Sequence, residues 1–121
     1  MKVSVTKLFE FEACHHLPNY DGDCRNMHGH SYKLEVEVGG HVEEFSGMVV
    51  DFKDLKEVVK VKVLDKYDHA NLNDFFDMPT AENMVEEIAH QVSAEMLIAG
   101  KRSVVRVRLW ETSTSYAEVK I

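Results

Sequence analysis

No apolar run in this chain approaches the roughly 20 residues needed to cross a bilayer, so a helical membrane span is not expected. Cysteine is scarce, two in 121 residues, which is too few for the dense disulfide framework of a small secreted scaffold. Proline is equally scarce: Pro18 and Pro79 both fall outside the periodic segments, and no linker, repeat or low-complexity stretch interrupts the chain. Basic charge is in deficit, with 14 Lys+Arg against 21 Asp+Glu and a formal net charge of -7. That argues against broad binding to nucleic acid or anionic membranes, which needs a clustered basic surface. A small anionic ligand stays open, because a local pocket can oppose the overall charge. The segment Met1–Val5 lacks an apolar signal core, so the expected compartment is the cytoplasm. What remains, 45% hydrophobic and 29% charged, is ordinary globular composition, and the length suits one domain over residues 1–121.

Histidine is over-represented. There are seven, and four of them lie between Cys14 and His30. The segments around them alternate. Val3, Val5, Phe9, Phe11 and Ala13 share one face of a first strand; His30, Tyr32, Leu34, Val36 and Val38 share one face of a second, which Gly39-Gly40 is expected to break. Between the two strands, Pro18–Asp23 reads as an ordered loop. The period then changes. Phe52, Leu55, Val59 and Val63 mark a helix that Asp51 can cap, although the valines of 58–63 are poor helix formers. A clearer helix starts at Pro79-Thr80, carries Ala81, Met84, Val85, Ile88, Val92 and Met96 at helical spacing, and stops at Gly100. Two strands, 104–111 and 116–121, finish the chain. The order ββααββ predicts an α+β fold: a four-stranded antiparallel sheet with two helices on one face.

His28-Gly29-His30 opens the second strand, and residues i and i+2 project to one face, so two imidazoles can reach one metal ion. A third can come from His15 or His16, and the alternation puts His15 on the face of Phe9, Phe11 and Ala13. Three histidines with one position open form a zinc arrangement suited to catalysis. Cys24, four residues before His28, could be a nucleophile or base, a fourth zinc ligand, or a plain loop cysteine. Asp68-His69 reads either as a helix-terminal charge pair or as a carboxylate tuning an imidazole for proton transfer. Glu111 continues the face of Val105, Val107 and Leu109, so it is either an exposed strand end or a carboxylate at the rim of a pocket. Cys14 reads as a packed or interfacial thiol, His41 and His90 as surface residues, and Trp110 as packing.

Taken together these segments resemble the family of 6-pyruvoyl-tetrahydropterin synthase and 6-carboxytetrahydropterin synthase. The resemblance rests on six ordered motifs: Phe11-Glu12-Ala13-Cys14-His15-His16-Leu17, Cys24-Arg25-Asn26-Met27-His28-Gly29-His30-Ser31, Val50-Asp51-Phe52, Asp68-His69-Ala70-Asn71-Leu72-Asn73, Pro79-Thr80-Ala81-Glu82-Asn83 and Glu111-Thr112. Three residues between Cys24 and His28 resemble the bacterial carboxy branch of queuosine biosynthesis; the pyruvoyl-forming branch usually has a longer gap. His16 departs from the arginine often found there. The resemblance implies the tunnelling fold, a homohexamer of two stacked trimers, and active sites at subunit interfaces. It implies 7,8-dihydroneopterin triphosphate as substrate, with 6-carboxy-5,6,7,8-tetrahydropterin, acetaldehyde and triphosphate as products. It further implies zinc on His15, His28 and His30, Cys24 as the thiolate proton acceptor, Asp68 and His69 as the proton-transfer partner, and Glu111 with Thr112 at the pterin. Arg25, Arg106 and Arg108 are candidates for the triphosphate.

Overall fold

A computed structural model describes all residues, Met1–Ile121. Strands β1 (Lys2–His15) and β2 (His28–His41) pair antiparallel along their whole length, from Lys2 opposite His41 to His15 opposite His28. Helix α1 (Phe52–Val59) runs through a π-helical turn (Lys60–Leu64) into a short α2 (Asp65–Tyr67). A two-residue β3 (Ala70–Asn71) precedes α3 (Ala81–Ile98), and β4 (Ser103–Thr112) and β5 (Ser115–Lys120) complete the sheet in the order β3-β1-β2-β4-β5.

The expected α+β architecture is present, and one sheet face carries the core. Phe9, Phe11, Leu34, Val36, Val107 and Leu109 from the strands bury together with Leu55, Val59, Met84, Ile88 and Val92 from the helices. Both caps form: the Asp51 carboxylate accepts from the Lys53 amide at 2.9 Å, and Thr80 Oγ1 accepts from the Asn83 amide at 3.2 Å. Gly100, at φ 70°, ends α3 in the left-handed conformation that glycine adopts without strain.

Four expectations need correction. The sheet has five strands, not four, because Ala70 and Asn71 pair parallel with Ala13 and Cys14; two residues carry no periodicity that a sequence pattern could reveal. β2 continues through Gly39-Gly40, since Val3 and Ser4 of β1 pair across both glycines. A Cβ at Gly39 would meet Val105 at 3.2 Å, so the missing side chain admits the neighbouring strand. Val105 does not share the face of Val107: the β2–β4 register shifts there, and Val104 takes the buried position. Phe52 is half exposed rather than core. The valine-rich segment is helical as expected, with the π-helical turn beginning immediately after Val59.

Candidate active site

The alternation of β1 delivers His15 to the core side, where only 1% of its surface is exposed. The β1–β2 register places His28 directly opposite it and His30 opposite Ala13. The three rings meet edge to face, with centroids 4.7, 5.1 and 4.8 Å apart. Their outer nitrogens fix the tautomers. His15 Nδ1 lies 2.8 Å from the Pro79 carbonyl and His28 Nδ1 lies 2.7 Å from the Asn26 carbonyl. Each carbonyl only accepts, so each Nδ1 carries the proton and donates. The two Nε2 lone pairs then face one another at 3.1 Å. His30 Nε2 is buried without a hydrogen-bond partner, and one such nitrogen from each ring falls within 4.8 Å of the others. Opposed lone pairs and an orphaned ring nitrogen fit a cation between them, so the three histidines could hold a metal ion. Burial lowers the His15 and His30 pKa values from 6.5, with the nearby Glu111 carboxylate acting in the opposite sense. That keeps both imidazoles neutral, the form that ligates.

Tyr32 floors the cluster. Its ring centroid lies 5.7 Å from that of His30 and its hydroxyl 3.4 Å from His15 Nδ1. Burial, followed by the Glu111 charge, pushes the phenol well above its ordinary range, so it stays neutral.

Glu111 reaches the cluster from β4, with Oε1 3.7 Å from His30 Nε2. Alternation from Val107 and Leu109 sends it to the core side. A register shift accompanies it there: Trp110 pairs with Tyr116 and Thr112 with Ser115, which leaves Glu111 as the extra residue of a bulge. Glu111 also lines a cavity of about 530 Å³ between the start of α3 and β5, together with Glu82, Glu86, Ser115 and Tyr116. None of those four stood out as a pocket residue in the sequence; the spacing of Glu82 and Glu86, one helical turn apart, was the available signal. Thr112, by contrast, is exposed and accepts from the Thr114 amide.

Asp68 and His69 do touch, at 3.0 Å between Oδ1 and Nδ1. They are clamped to the backbone of one β1 residue: Asp68 Oδ1 accepts from the Glu12 amide at 3.0 Å, and the His69 amide donates to the Glu12 carbonyl. The clamp holds His69 at φ 63°, the only left-handed non-glycine residue. Its side chain is 80% exposed. With Glu12, Cys14, Gly29, His30 and Ser31 it lines a cavity of about 340 Å³. Glu12, Cys14 and Ser31 alternate with the core-facing residues, so this cavity opens on the outer sheet face, with His30 at its border.

Cys24 sits half-buried in a 3-10 turn (Asp23–Arg25), and its carbonyl accepts from the Leu17 amide at 2.8 Å. Its sulfur is not part of the ligand group. Cys14 is half-buried, with Sγ 3.7 Å from the Ala70 carbonyl. Arg25, His41 and His90 are exposed. Arg106 and Arg108 are already engaged: Arg106 pairs with Glu35, Glu37 and Glu118, and Arg108 with Glu35 and Glu118. Trp110 packs against Tyr116, its ring nitrogen donating to Glu35.

Three comparisons bear on this site. The family model for 6-pyruvoyl tetrahydropterin synthase matches residues 4–121. A 6-carboxy-5,6,7,8-tetrahydropterin synthase of Haemophilus influenzae is 35% identical over 136 residues, covering 94% of this chain and 96% of its own. One from Synechocystis is 36% identical, covering 93% and 89%. The solved structure of Caenorhabditis elegans 6-pyruvoyl tetrahydropterin synthase superposes with a TM-score of 0.89 at 29% identity, covering 100% of this chain and 96% of that one. The fold is thus that of a pterin-synthase enzyme. The chain belongs to the 6-pyruvoyl tetrahydropterin synthase family.

Proposed function

We propose that this protein is a zinc-dependent 6-carboxy-5,6,7,8-tetrahydropterin synthase. It takes 7,8-dihydroneopterin triphosphate and water to 6-carboxytetrahydropterin, acetaldehyde and triphosphate, on the route to queuosine and related 7-deazapurines. The observation that carries this reading is the convergence of three imidazoles without a protein fourth ligand, beside a glutamate that also lines a cavity. Zinc held by His15, His28 and His30 would supply Lewis acidity to a substrate oxygen and so acidify the neighbouring C–H.

The chain's own groups do the rest. Cys24, as thiolate, accepts the proton released from that carbon. Glu111 accepts hydrogen bonds from the pterin amino and ring N–H groups, a two-point contact that orients the ring. Asp68 holds the His69 imidazole for proton transfer. That dyad opens on the outer sheet face, which supports a site completed by a neighbouring subunit. β5 is the unpaired outer edge and β1 is covered only at Ala13 and Cys14. Two open edges suit a sheet continued between subunits, as in a cytoplasmic homohexamer of two trimers.

The gap of three residues between Cys24 and His28, together with the two carboxy-type relatives, favours the carboxy product over the pyruvoyl one. A non-catalytic zinc-binding oligomer with Cys24 as fourth ligand is less well supported, because that sulfur stands outside the ligand group. The deciding experiment incubates the purified, zinc-loaded protein with dihydroneopterin triphosphate and identifies the pterin by mass. The 6-carboxy product is expected; a 6-pyruvoyl product transfers the assignment to the other branch, and no turnover refutes both.

A further inference from the structure

We propose that Asn73 is a positioning residue for the loop that carries Cys24. The inference rests on the reading of Cys24 as the acting thiolate. β1 stops at His15: pairing with β2 ends at His28, and pairing with β3 ends at Cys14. The amide and carbonyl of the next residue, His16, therefore have no strand partner. The Asn73 side chain supplies both missing bonds. Its Oδ1 accepts from the His16 amide at 2.9 Å and its Nδ2 donates to the His16 carbonyl at 3.0 Å. A carboxamide is suited to this because it both accepts and donates; a carboxylate or an apolar side chain of similar size cannot do both.

Asn73 is itself rigidly placed. Its amide is capped by Asn71 Oδ1 at 3.0 Å, and the neighbouring Leu72 is fully buried. One residue beyond the clamp, the Leu17 amide donates to the Cys24 carbonyl at 2.8 Å. Three consecutive residues thus have three tasks. The His15 ring belongs to the metal cluster, the His16 backbone is clamped by Asn73, and Leu17 ties down the backbone of the thiol residue. The far end of the loop is tied by the Asn26 carbonyl to His28 Nδ1. The segment between, from Pro18 to Asp23, is exposed. Asn73 therefore sets where the thiol stands relative to the metal, while touching neither.

The test compares Asn73→Ala and Asn73→Asp with the unmodified zinc-loaded protein. The readouts are kcat and KM, metal content, melting temperature, and the iodoacetamide alkylation rate of Cys24, resolved from Cys14 by peptide mass. Displacing a reacting group by about 1 Å costs about a hundredfold, so Asn73→Ala should lose about tenfold to a hundredfold in kcat. KM and metal content should stay near those of the unmodified protein, and the Cys24 alkylation rate should change severalfold. Asn73→Asp keeps the acceptor for the His16 amide but sets a carboxylate oxygen against the His16 carbonyl, so it should lose kcat as well. An unchanged kcat with unchanged Cys24 alkylation overturns the proposal, and so does a loss of kcat that only follows loss of metal. Should Asn73→Ala fail to fold, Asn73→Asp decides by the same readouts. Should the unmodified protein not turn over this substrate, the proposed function fails, while the alkylation comparison still decides on Asn73.

Discussion

His69 is the one non-glycine residue held at positive φ, and its substitution separates backbone conformation from chemistry. An L-residue in the left-handed region costs about 1–2 kcal/mol, because its Cβ crowds the following carbonyl. Glycine escapes that cost but loses about 0.5–1 kcal/mol more backbone entropy on folding than alanine. The difference favours His69→Gly over His69→Ala by up to about 1.5 kcal/mol, centred on about 0.75, where an ordinary strand or helix position favours alanine by about 0.5–1 kcal/mol. Other contributions cancel in the comparison. The imidazole is 80% exposed, so neither variant forfeits much burial, and both lose the same solvated contact with Asp68. The amide bond to the Glu12 carbonyl involves no side chain and persists in both. For a chain of this length a difference of 1 kcal/mol moves Tm by about 4 °C. Urea melts at one protein concentration should therefore rank glycine above alanine. Both variants lack the imidazole, so both should lose turnover by a similar factor, about 10²–10⁴. An alanine variant as stable as the glycine one refutes the strained conformation. Near-normal turnover in either refutes the proton-transfer role.

Three further outcomes follow from the geometry. His28→Ala should lose bound zinc and activity together, whereas Cys24→Ala should retain zinc by elemental analysis and lose activity; zinc loss from Cys24→Ala would make the thiol a ligand. Asp51→Ala removes the side-chain acceptor for the Lys53 amide, and should cost about 1 kcal/mol in urea unfolding while leaving metal content unchanged. Glu37 is held below the ordinary carboxyl value of 4.5, chiefly by its hydrogen bond from Arg106 and then by that from Ser4. A depressed folded-state value contributes stability above the unfolded value of about 4.5 and loses it as pH falls through the lower folded one. The stability advantage of the unmodified protein over Glu37→Gln should therefore shrink on acidification below about pH 4.5; a difference constant from pH 7 to pH 3 contradicts the pairing.

The histidine cluster was legible in the sequence because it depends on one short-range rule. Strand alternation sends His15 to the side of Phe11 and sends His28 and His30 to a common side, and a single antiparallel register brings them together. Helix caps and the Gly100 stop are local in the same sense. What stayed hidden depends on departures from regularity. A bulge at Val105 exchanges which valine is buried. Alternation alone cannot announce the residue at which it slips. The Asp68–His69 dyad illustrates the other limit. Neighbouring side chains on a regular element diverge, so their contact requires the left-handed turn at His69, and that turn exists because the Glu12 backbone, more than fifty residues earlier, binds both partners. The same clamp leaves the dyad on the outer sheet face, whereas the histidine rings stand on the core side. The two groups of side chains thus lie on two faces of one sheet, which is why the proposed site needs a second copy of that sheet to unite them.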